Sequence, residues 1–281
     1  MRYLITGANG QLAREFIKRL DGKQLYCFTK EKLDISKENE LKQAIDYVKP
    51  DIVLNCAAYN NVDLAESESD KAFQINSTAI KNIALFSYKY KTKIIHFSTD
   101  YVFDGNKTET YTEDDNPNPI NKYGKSKLEG EQNLIKNYEN YLIFRVSWVY
   151  GDGKQNFIFK LINWAKNSNL MVSIDEVSVP NSTSFIVDIV LRAISSDLKG
   201  LWHLVSLGYT SRYEWACKIF EILKINIKIE KAKQIDFNLP AKRPSFSAMD
   251  SKNIVKTLGV EIKRWDDYLY DFLNKRREVF L

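Results

Sequence analysis

Tyr123 and Lys127 stand four residues apart in the stretch Tyr123-Gly124-Lys125-Ser126-Lys127. On a helix that spacing puts both side chains on one face. A phenol beside an ammonium is a tuned proton donor, because the cation favours the phenolate and lowers the tyrosine pKa from its usual ~10 toward working pH. Earlier in the chain, Thr99 ends the run Ile94-Ile95-His96-Phe97-Ser98. Its hydroxyl can bond the same substrate oxygen as the phenol. A threonine, a tyrosine and a lysine so arranged suit protonation of a carbonyl oxygen while hydride arrives from a dinucleotide.

The spacing is not specific by itself, since Tyr26/Lys30 and Tyr150/Lys154 repeat it. Tyr26 falls within a predicted strand, and Tyr150 precedes the turn Gly151-Asp152-Gly153. Only Tyr123 opens a helical stretch and follows a strand that ends in hydroxyls.

The elements that must carry these groups begin at the N-terminus. Residues 2–6 read as a buried strand, followed by Gly7-Ala8-Asn9-Gly10-Gln11-Leu12-Ala13 and a helix with Leu12, Phe16, Ile17 and Leu20 at helical spacing. Strand, glycine turn and helix form the context of a dinucleotide fingerprint. Gly7 permits the tight turn, and Gly10 lets the backbone approach a pyrophosphate at a helix N-terminus, where free N–H groups favour anions. Asn9, Gln11 and Leu12 complete the candidate phosphate turn; Ala13 stands where a third glycine is expected. Residues 24–28 read as the second strand, with Thr29 and Lys30 at its tip. A base there can hold a ribose 2′-phosphate, so the expected cofactor is NADPH, with NADH as the alternative because Glu31 is close. Asp34 and Ile35 follow, and Asp34 either meets the adenine amino group or caps a helix beginning near Ser36.

A helix over 38–48, a strand over 51–55, a loop over 60–68, a helix over 70–90, a strand over 94–98, the Tyr123 helix and a strand over 141–147 come next. Small residues after the third strand, Cys56-Ala57-Ala58 before Tyr59, leave room for a cofactor, and Ser98 lies at the end of the fourth. This alternation predicts an α/β fold: a doubly wound parallel Rossmann sheet with right-handed crossovers, and a cleft at the carboxyl ends of its strands. Residues 1–150 are the expected dinucleotide-binding domain. Residues 151–281 are mainly a smaller C-terminal substrate-binding domain, with some elements packing back on the sheet. Expected there are helices over 156–165, 185–194, 212–223 and 265–275, strands over 170–174 and 201–205, and a rigid basic loop, Leu239-Pro240-Ala241-Lys242-Arg243-Pro244.

Composition narrows the classes. The chain has 281 residues, 44% hydrophobic and 27% charged, with formal net charge +5. The charges are interspersed without a Lys/Arg block, which argues against a nucleic-acid partner. Cys27, Cys56 and Cys217 are an odd set placed in predicted strands and a helix, so they read as reduced thiols. His96 and His203, flanked by apolar residues, read as core histidines, and no metal is expected. Neither a signal peptide nor a run near ~18 apolar residues is seen, so a cytoplasmic protein without a membrane partner is expected.

Taken together and in order, these motifs resemble the extended short-chain dehydrogenase/reductases, and most closely their branch acting on dTDP-4-dehydrorhamnose. The resemblance covers essentially the whole chain. It is carried by Gly7 to Leu12, Asn55 to Tyr59, Val62-Asp63-Leu64-Ala65-Glu66, Ser98 to Phe103, Tyr123 to Glu131, Arg145 to Gly151, Asn156-Phe157 and Ala241 to Pro244. It implies NADPH-dependent reduction of the C4 keto group of a dTDP-4-keto-6-deoxy sugar, for cell-surface polysaccharide synthesis. Tyr123 would be the proton donor, Lys127 would hold the nicotinamide ribose, and Thr99 would bond the reacting oxygen. Val62, Asp100, Tyr101 and Trp148 would line the sugar pocket. Arg243 would lie near the diphosphate, and Asn156 would help seat the nucleotide. Some members dimerise, so a homodimer is the assembly to test. Departures are Ala13, Asn60-Asn61, Ser178-Val179-Pro180-Asn181 in place of a usual Gly-x-Pro-Thr, and Ser184 where a metal-holding acid would pair with Glu15.

Three other functions stand beside this one. A 4,6-dehydratase needs an acid/base pair after the threonine, yet Tyr101 follows Asp100; an epimerase would retain bound NAD. A non-catalytic NADP-binding regulatory subunit need not keep Thr99, Tyr123 and Lys127 together, and this chain does.

Overall fold

The structure, a computed structural model, describes residues 1–166 and 170–280. Positions 167–169 and 281, which fall in the C-terminal half marked out above, lie outside the described residues. The chain begins β1 (Arg2–Thr6), α1 (Gln11–Arg19), β2 (Gln24–Phe28), α2 (Glu38–Val48), β3 (Ile52–Asn55), α3 (Leu64–Ser67) and α4 (Ser69–Phe73). A π-helical turn, Gln74–Thr78, leads into α5 (Ala79–Tyr88), β4 (Lys93–Thr99), α6 (Lys122–Asn137) and β5 (Tyr141–Val146). The rest runs β6 (Val149–Tyr150), α7 (Phe157–Trp164), β7 (Leu170–Ser173), β8 (Val177–Ser178), β9 (Asn181–Ser182), α8 (Thr183–Ser195), β10 (Gly200–His203), β11 (Thr210–Ser211), α9 (Arg212–Leu223) and β12 (Ile229–Ala232). Helices α10 (Lys252–Leu258), α11 (Trp265–Lys275) and α12 (Arg277–Phe280) end it.

One six-stranded sheet, ordered β10-β5-β4-β3-β1-β2, organises the fold. Every pairing in it is parallel, with Ile5 beside Leu54, Leu54 beside Ile95 and Ile95 beside Leu142. The strand order reverses beside β1, so the expected doubly wound sheet is present. Every residue of β3 and of β4 is buried, as a sheet covered on both faces requires. On one face α1 and α8 pack together over Phe16, Phe97, Phe144 and Phe185. On the other, α2, α5 and α6 cover Leu41, Ile45, Ile80, Ile83 and Leu134. Fully buried side chains such as Phe16 and Leu41 each contribute ~1.5–3 kcal/mol of burial. A third core lies beside the sheet and joins Trp148, Tyr150, Trp215 and Phe272.

The sequence expectations differ from the structure in particular places. The 60–68 loop contains the short helix α3, and the helix expected over 70–90 begins at Ser69 and is interrupted by the π turn. Asn76 sits in that turn and is buried, its side chain bonded to neighbouring segments, so tertiary bonding reshapes a pattern that reads as one helix. Helix α10 and the two-residue bridges β6, β8, β9 and β11 are too short for periodicity to mark. The strand expected over 201–205 is β10, the edge strand of the main sheet beside β5. Cys27 is half-buried in β2, and Cys56 follows β3; the three thiols are free. Among the described residues no helix is long and apolar enough to cross a membrane, and no group of three or more His, Cys, Asp or Glu could hold a metal ion.

Candidate active site

A cleft of about 1160 Å³ runs across the carboxyl ends of β1, β3, β4 and β5. At its foot the β1–α1 turn is tight. Gly7 has φ +63°, and a Cβ there would lie 2.8 Å from the Ala57 nitrogen. The Gly10 N–H donates to the Gly7 carbonyl at 2.8 Å, and α1 starts with no side-chain cap. Its first N–H groups therefore face the cleft unfilled by the chain, with Gly10, Gln11, Leu12 and Ala13 as lining. Ala13 is fully buried, consistent with close helix–strand packing. Ala57 and Ala58 line the cleft opposite, so the cradle has the shape and donor set that a pyrophosphate requires. Beneath it the Thr6 hydroxyl donates to Asn55 Oδ1 at 2.6 Å and accepts from the Ala57 N–H at 3.2 Å. Asn55 Nδ2 contacts His96 Nδ1 at 3.1 Å. Burial, then the Lys127 charge, holds the His96 imidazole well below its ordinary pKa, so it stays neutral in the core.

Thr99, Tyr123 and Lys127 all line this cleft. Thr99 ends β4, where its hydroxyl donates to Asp100 Oδ1 at 3.2 Å and accepts from the Tyr101 N–H at 3.2 Å. Helix α6 starts at an Asn121 cap that accepts from the Gly124 N–H at 2.7 Å. Gly124 is required there, because a Cβ would fall 2.2 Å from the Tyr101 carbonyl oxygen. That close approach sets the Tyr123 ring edge-on to Tyr101, with centroids 5.9 Å apart. Asn76 braces the same turn: it bonds both main-chain groups of Tyr59 and donates to Ser126 Oγ at 3.0 Å, and Ser126 donates to the Tyr123 carbonyl at 2.8 Å.

The electrostatics depart from the simple tyrosine–lysine picture. Lys127 Nζ donates to the Phe97 carbonyl at 2.5 Å, and burial pushes its pKa down to about 8 against the pull of Glu131. Tyr123 is pushed up to about 12 by burial, with the Thr99 hydroxyl opposing and the Asp100 charge adding. The lowering of the phenol expected from spacing is therefore not what the protein alone produces. Desolvation of the phenolate sets the direction, while Lys127 is turned to a carbonyl. Asp100 is buried and raised to about 6 by that burial, although hydrogen bonds from Ser247, Ser178 and Thr99 and the Arg212 charge oppose it. Ser178 Oγ and Ser247 Oγ donate to its Oδ2 at 2.8 and 2.5 Å.

Other expected residues fall in distinct places. Val62, Tyr101, Trp148, Asn156, Arg243, Ser98 and Gln11 line the cleft. Trp148 has φ +39° and stacks on Trp215 at 5.4 Å. Asn156 caps α7 and spends its amide on the Gly151 and Gly153 carbonyls, 2.9 Å each, as well as on Gln11. Arg243 forks onto Asp63 at 2.7 and 3.1 Å. Burial works against both charges, and their pairing outweighs it: Arg243 is raised and Asp63 lowered. Gly7, Asn9 and Tyr59 are not among the lining residues: Asn9 is exposed in the β1–α1 turn, and the Tyr59 hydroxyl donates to Glu68 at 3.0 Å. Thr29 and exposed Lys30 sit at the tip of β2. Asp34 accepts from the Ser36 N–H and hydroxyl at 3.0 and 2.6 Å, and α2 begins only at Glu38, so Asp34 closes a turn without capping that helix. The Ile35 side chain is in the core with Leu41 and Ile45. Glu15 is buried near Arg19, and Ser184 is exposed beside Ser182.

Sequence reasoning missed Asp63, Asn76, Ser126, Glu176 and Arg212. Asp63 stands beside Val62 in a motif named above, and Asn76 is visible as a polar residue inside a helical stretch. Glu176 and Arg212 carry no local signal.

A family model described as "RmlD substrate binding domain" matches residues 1–278. The spore coat polysaccharide biosynthesis protein SpsK of Bacillus subtilis is 32% identical, over 98% of each chain. A dTDP-4-dehydrorhamnose reductase crystal structure from Clostridium acetobutylicum has a TM-score of 0.94 and 37% identity, covering 98% of this chain and 99% of that one. The Bacillus anthracis dTDP-4-dehydrorhamnose reductase, solved in complex with NADP, has a TM-score of 0.93 and 33% identity, with 98% and 99% covered.

Proposed function

This chain belongs to the RmlD substrate binding domain family, and from that premise we propose that it reduces the C4 keto group of dTDP-4-dehydro-L-rhamnose with NADPH to give dTDP-L-rhamnose for cell-surface polysaccharide. The observation that carries the reading is the meeting of Thr99, Tyr123 and Lys127 in the cleft that the Gly7–Gly10 cradle opens onto. When bound there, NADPH supplies a hydride to the keto carbon.

The chain's own residues do the rest. The N-terminus of α1, with Gly10, Gln11 and Leu12, binds the pyrophosphate, and Gly7 and Asn9 shape its turn. Thr29 and Lys30 take the adenosine 2′-phosphate, and Asp34 and Ile35 border the adenine. Ala57, Ala58, Tyr59 and Ser98 form the floor beneath the cofactor. Lys127 holds the nicotinamide ribose. Tyr123 donates its proton to the C4 oxygen as negative charge develops there, while Thr99 hydrogen-bonds the same oxygen. A phenol near 12 is fully protonated at neutral pH, so the donor is loaded before the keto sugar binds. Val62, Asp100, Tyr101 and Trp148 surround the sugar, Arg243 faces the diphosphate and Asn156 seats the nucleotide.

In this reading residues 1–150 bind the dinucleotide and residues 151–281 mainly bind the sugar nucleotide. The protein works in the cytoplasm, with a homodimer as its assembly. The test is the fall in NADPH absorbance with dTDP-4-dehydro-L-rhamnose, run beside Tyr123→Phe and beside NADH. Turnover by wild type alone, faster with NADPH, is expected. No turnover by a wild type that still binds NADPH would sink the proposal.

A further inference from the structure

Glu176, between β7 and β8, and Arg212, the first residue of α9, share one wall of the cleft. Their main chains are tied, with the Arg212 N–H on the Glu176 carbonyl at 3.0 Å. Their side chains are tied as well: Arg212 Nε and Nη2 donate to Glu176 Oε1 at 3.3 and 3.2 Å. The Tyr101 hydroxyl donates to that same oxygen at 3.0 Å. One carboxylate oxygen thus serves three donors. Among the described residues, Glu176 Oε2 accepts no hydrogen bond and Arg212 Nη1 donates none, and neither is one of the atoms sealed from solvent without a partner.

The guanidinium is also fixed in place. Its carbon lies 3.7 Å from the Trp148 ring centre and 5.0 Å from that of Phe157. Such a cation–π seat desolvates the fork and holds its plane. Tyr101 links the pair to the reaction centre, because its ring stands edge-on to Tyr123 while its hydroxyl reaches Glu176. The free donor and acceptor therefore lie one aromatic side chain away from the proton donor, on the wall a hexose would face.

We propose that Arg212 and Glu176 form the subsite that reads the vicinal hydroxyls of the keto sugar. Arg212 Nη1 donates to one hydroxyl oxygen, and Glu176 Oε2 accepts from its neighbour. This subsite rests on the function proposed above and adds a selectivity to it. A guanidinium and a carboxylate side by side complement a diol, which offers an acceptor and a donor on adjacent carbons. They do not suit a phosphate, which Glu176 would repel. Nor do they suit a deoxy carbon, which would leave a charged group desolvated and unpaired.

The test is calorimetric titration of the NADP-saturated protein with dTDP-L-rhamnose and with its 2-deoxy and 3-deoxy counterparts. Wild type is expected to prefer the hydroxylated compound over each by roughly tenfold or more. Arg212→Met and Glu176→Gln are each expected to lose the preference against one of the two deoxy compounds. NADPH affinity, which depends on other residues, serves as the check on folding; should Arg212→Met fail that check, the near-isosteric Glu176→Gln carries the test alone. Wild type binding all three compounds equally, or a folded variant keeping both preferences, overturns the subsite. Wild type binding none of them overturns the functional reading, and the subsite with it.

Discussion

Lys127 Nζ donates to the Phe97 carbonyl oxygen at 2.5 Å, so the helix that carries the proposed proton donor is fastened to the strand that leads to Thr99. The cation is spent on a main-chain oxygen before any ligand arrives, and Tyr123 stays a protonated phenol.

Replacing Tyr123 by Phe removes the donating hydroxyl and little else. Turnover should fall by roughly 10²–10⁴, with NADPH affinity nearly unchanged. Steady-state rates with a fluorescence titration of NADPH check both, and full activity in the variant would remove Tyr123 from the mechanism.

Lys127→Met should weaken NADPH binding and slow turnover, yet stabilise the fold near neutral pH. Burial lowers the Lys127 pKa from 10.5 to about 8. Between those values the unfolded chain holds a proton that the folded chain has shed, so wild-type stability rises with pH across that window. The variant lacks this rise and escapes a penalty on the order of 3 kcal/mol at pH 7, at 1.36 kcal/mol per pKa unit. Urea denaturation from pH 7 to 10.5 should show the two stabilities converging; parallel curves would falsify the lowered Lys127 pKa.

Asp100 should set the acidic limb of kcat/KM. Its carboxyl is raised to about 6 by burial and restrained by bonds from Ser247 and Ser178. Only its anion can accept from Thr99 and both serines at once. Ser247→Ala removes one bond that favours the anion, so the limb should move to higher pH, and Asp100→Asn should abolish it. A pH–rate profile that Ser247→Ala leaves in place would assign the limb to another group.

Lys30 is exposed at the end of β2, where an adenosine 2′-phosphate would reach. Lys30→Ala should raise KM for NADPH roughly tenfold, the scale of one charge-assisted contact, and leave KM for NADH alone. Equal changes with both cofactors would separate Lys30 from the phosphate.

Much of this site is legible in local pattern. The Gly7 turn, the strand ending at Thr99 and the helix bearing Tyr123 each lie within one supersecondary unit, where spacing and glycine placement determine geometry. The β10 strand is visible as an apolar run, but its place beside β5 depends on a pairing between distant segments. Glu176 and Arg212 gain their meaning only when β8, α9 and the Tyr101 turn meet. The ionisation of Tyr123 escapes sequence reasoning for a related reason: spacing shows that a cation is near, whereas burial and the Phe97 carbonyl decide what that cation does.

The pairing of β10 with β5 also governs how the gene could be recombined with those of relatives. A crossover at residue 150 would separate a pair of strands in register from Gly200↔Leu142 to His203↔Arg145. A fragment ending there would carry Leu142, Ile143 and Phe144, all fully buried here, on an open sheet edge, an invitation to pair with other chains. Swapping C-terminal segments between family members is better done with junctions beyond His203, so that the sixth strand travels with the sheet it completes.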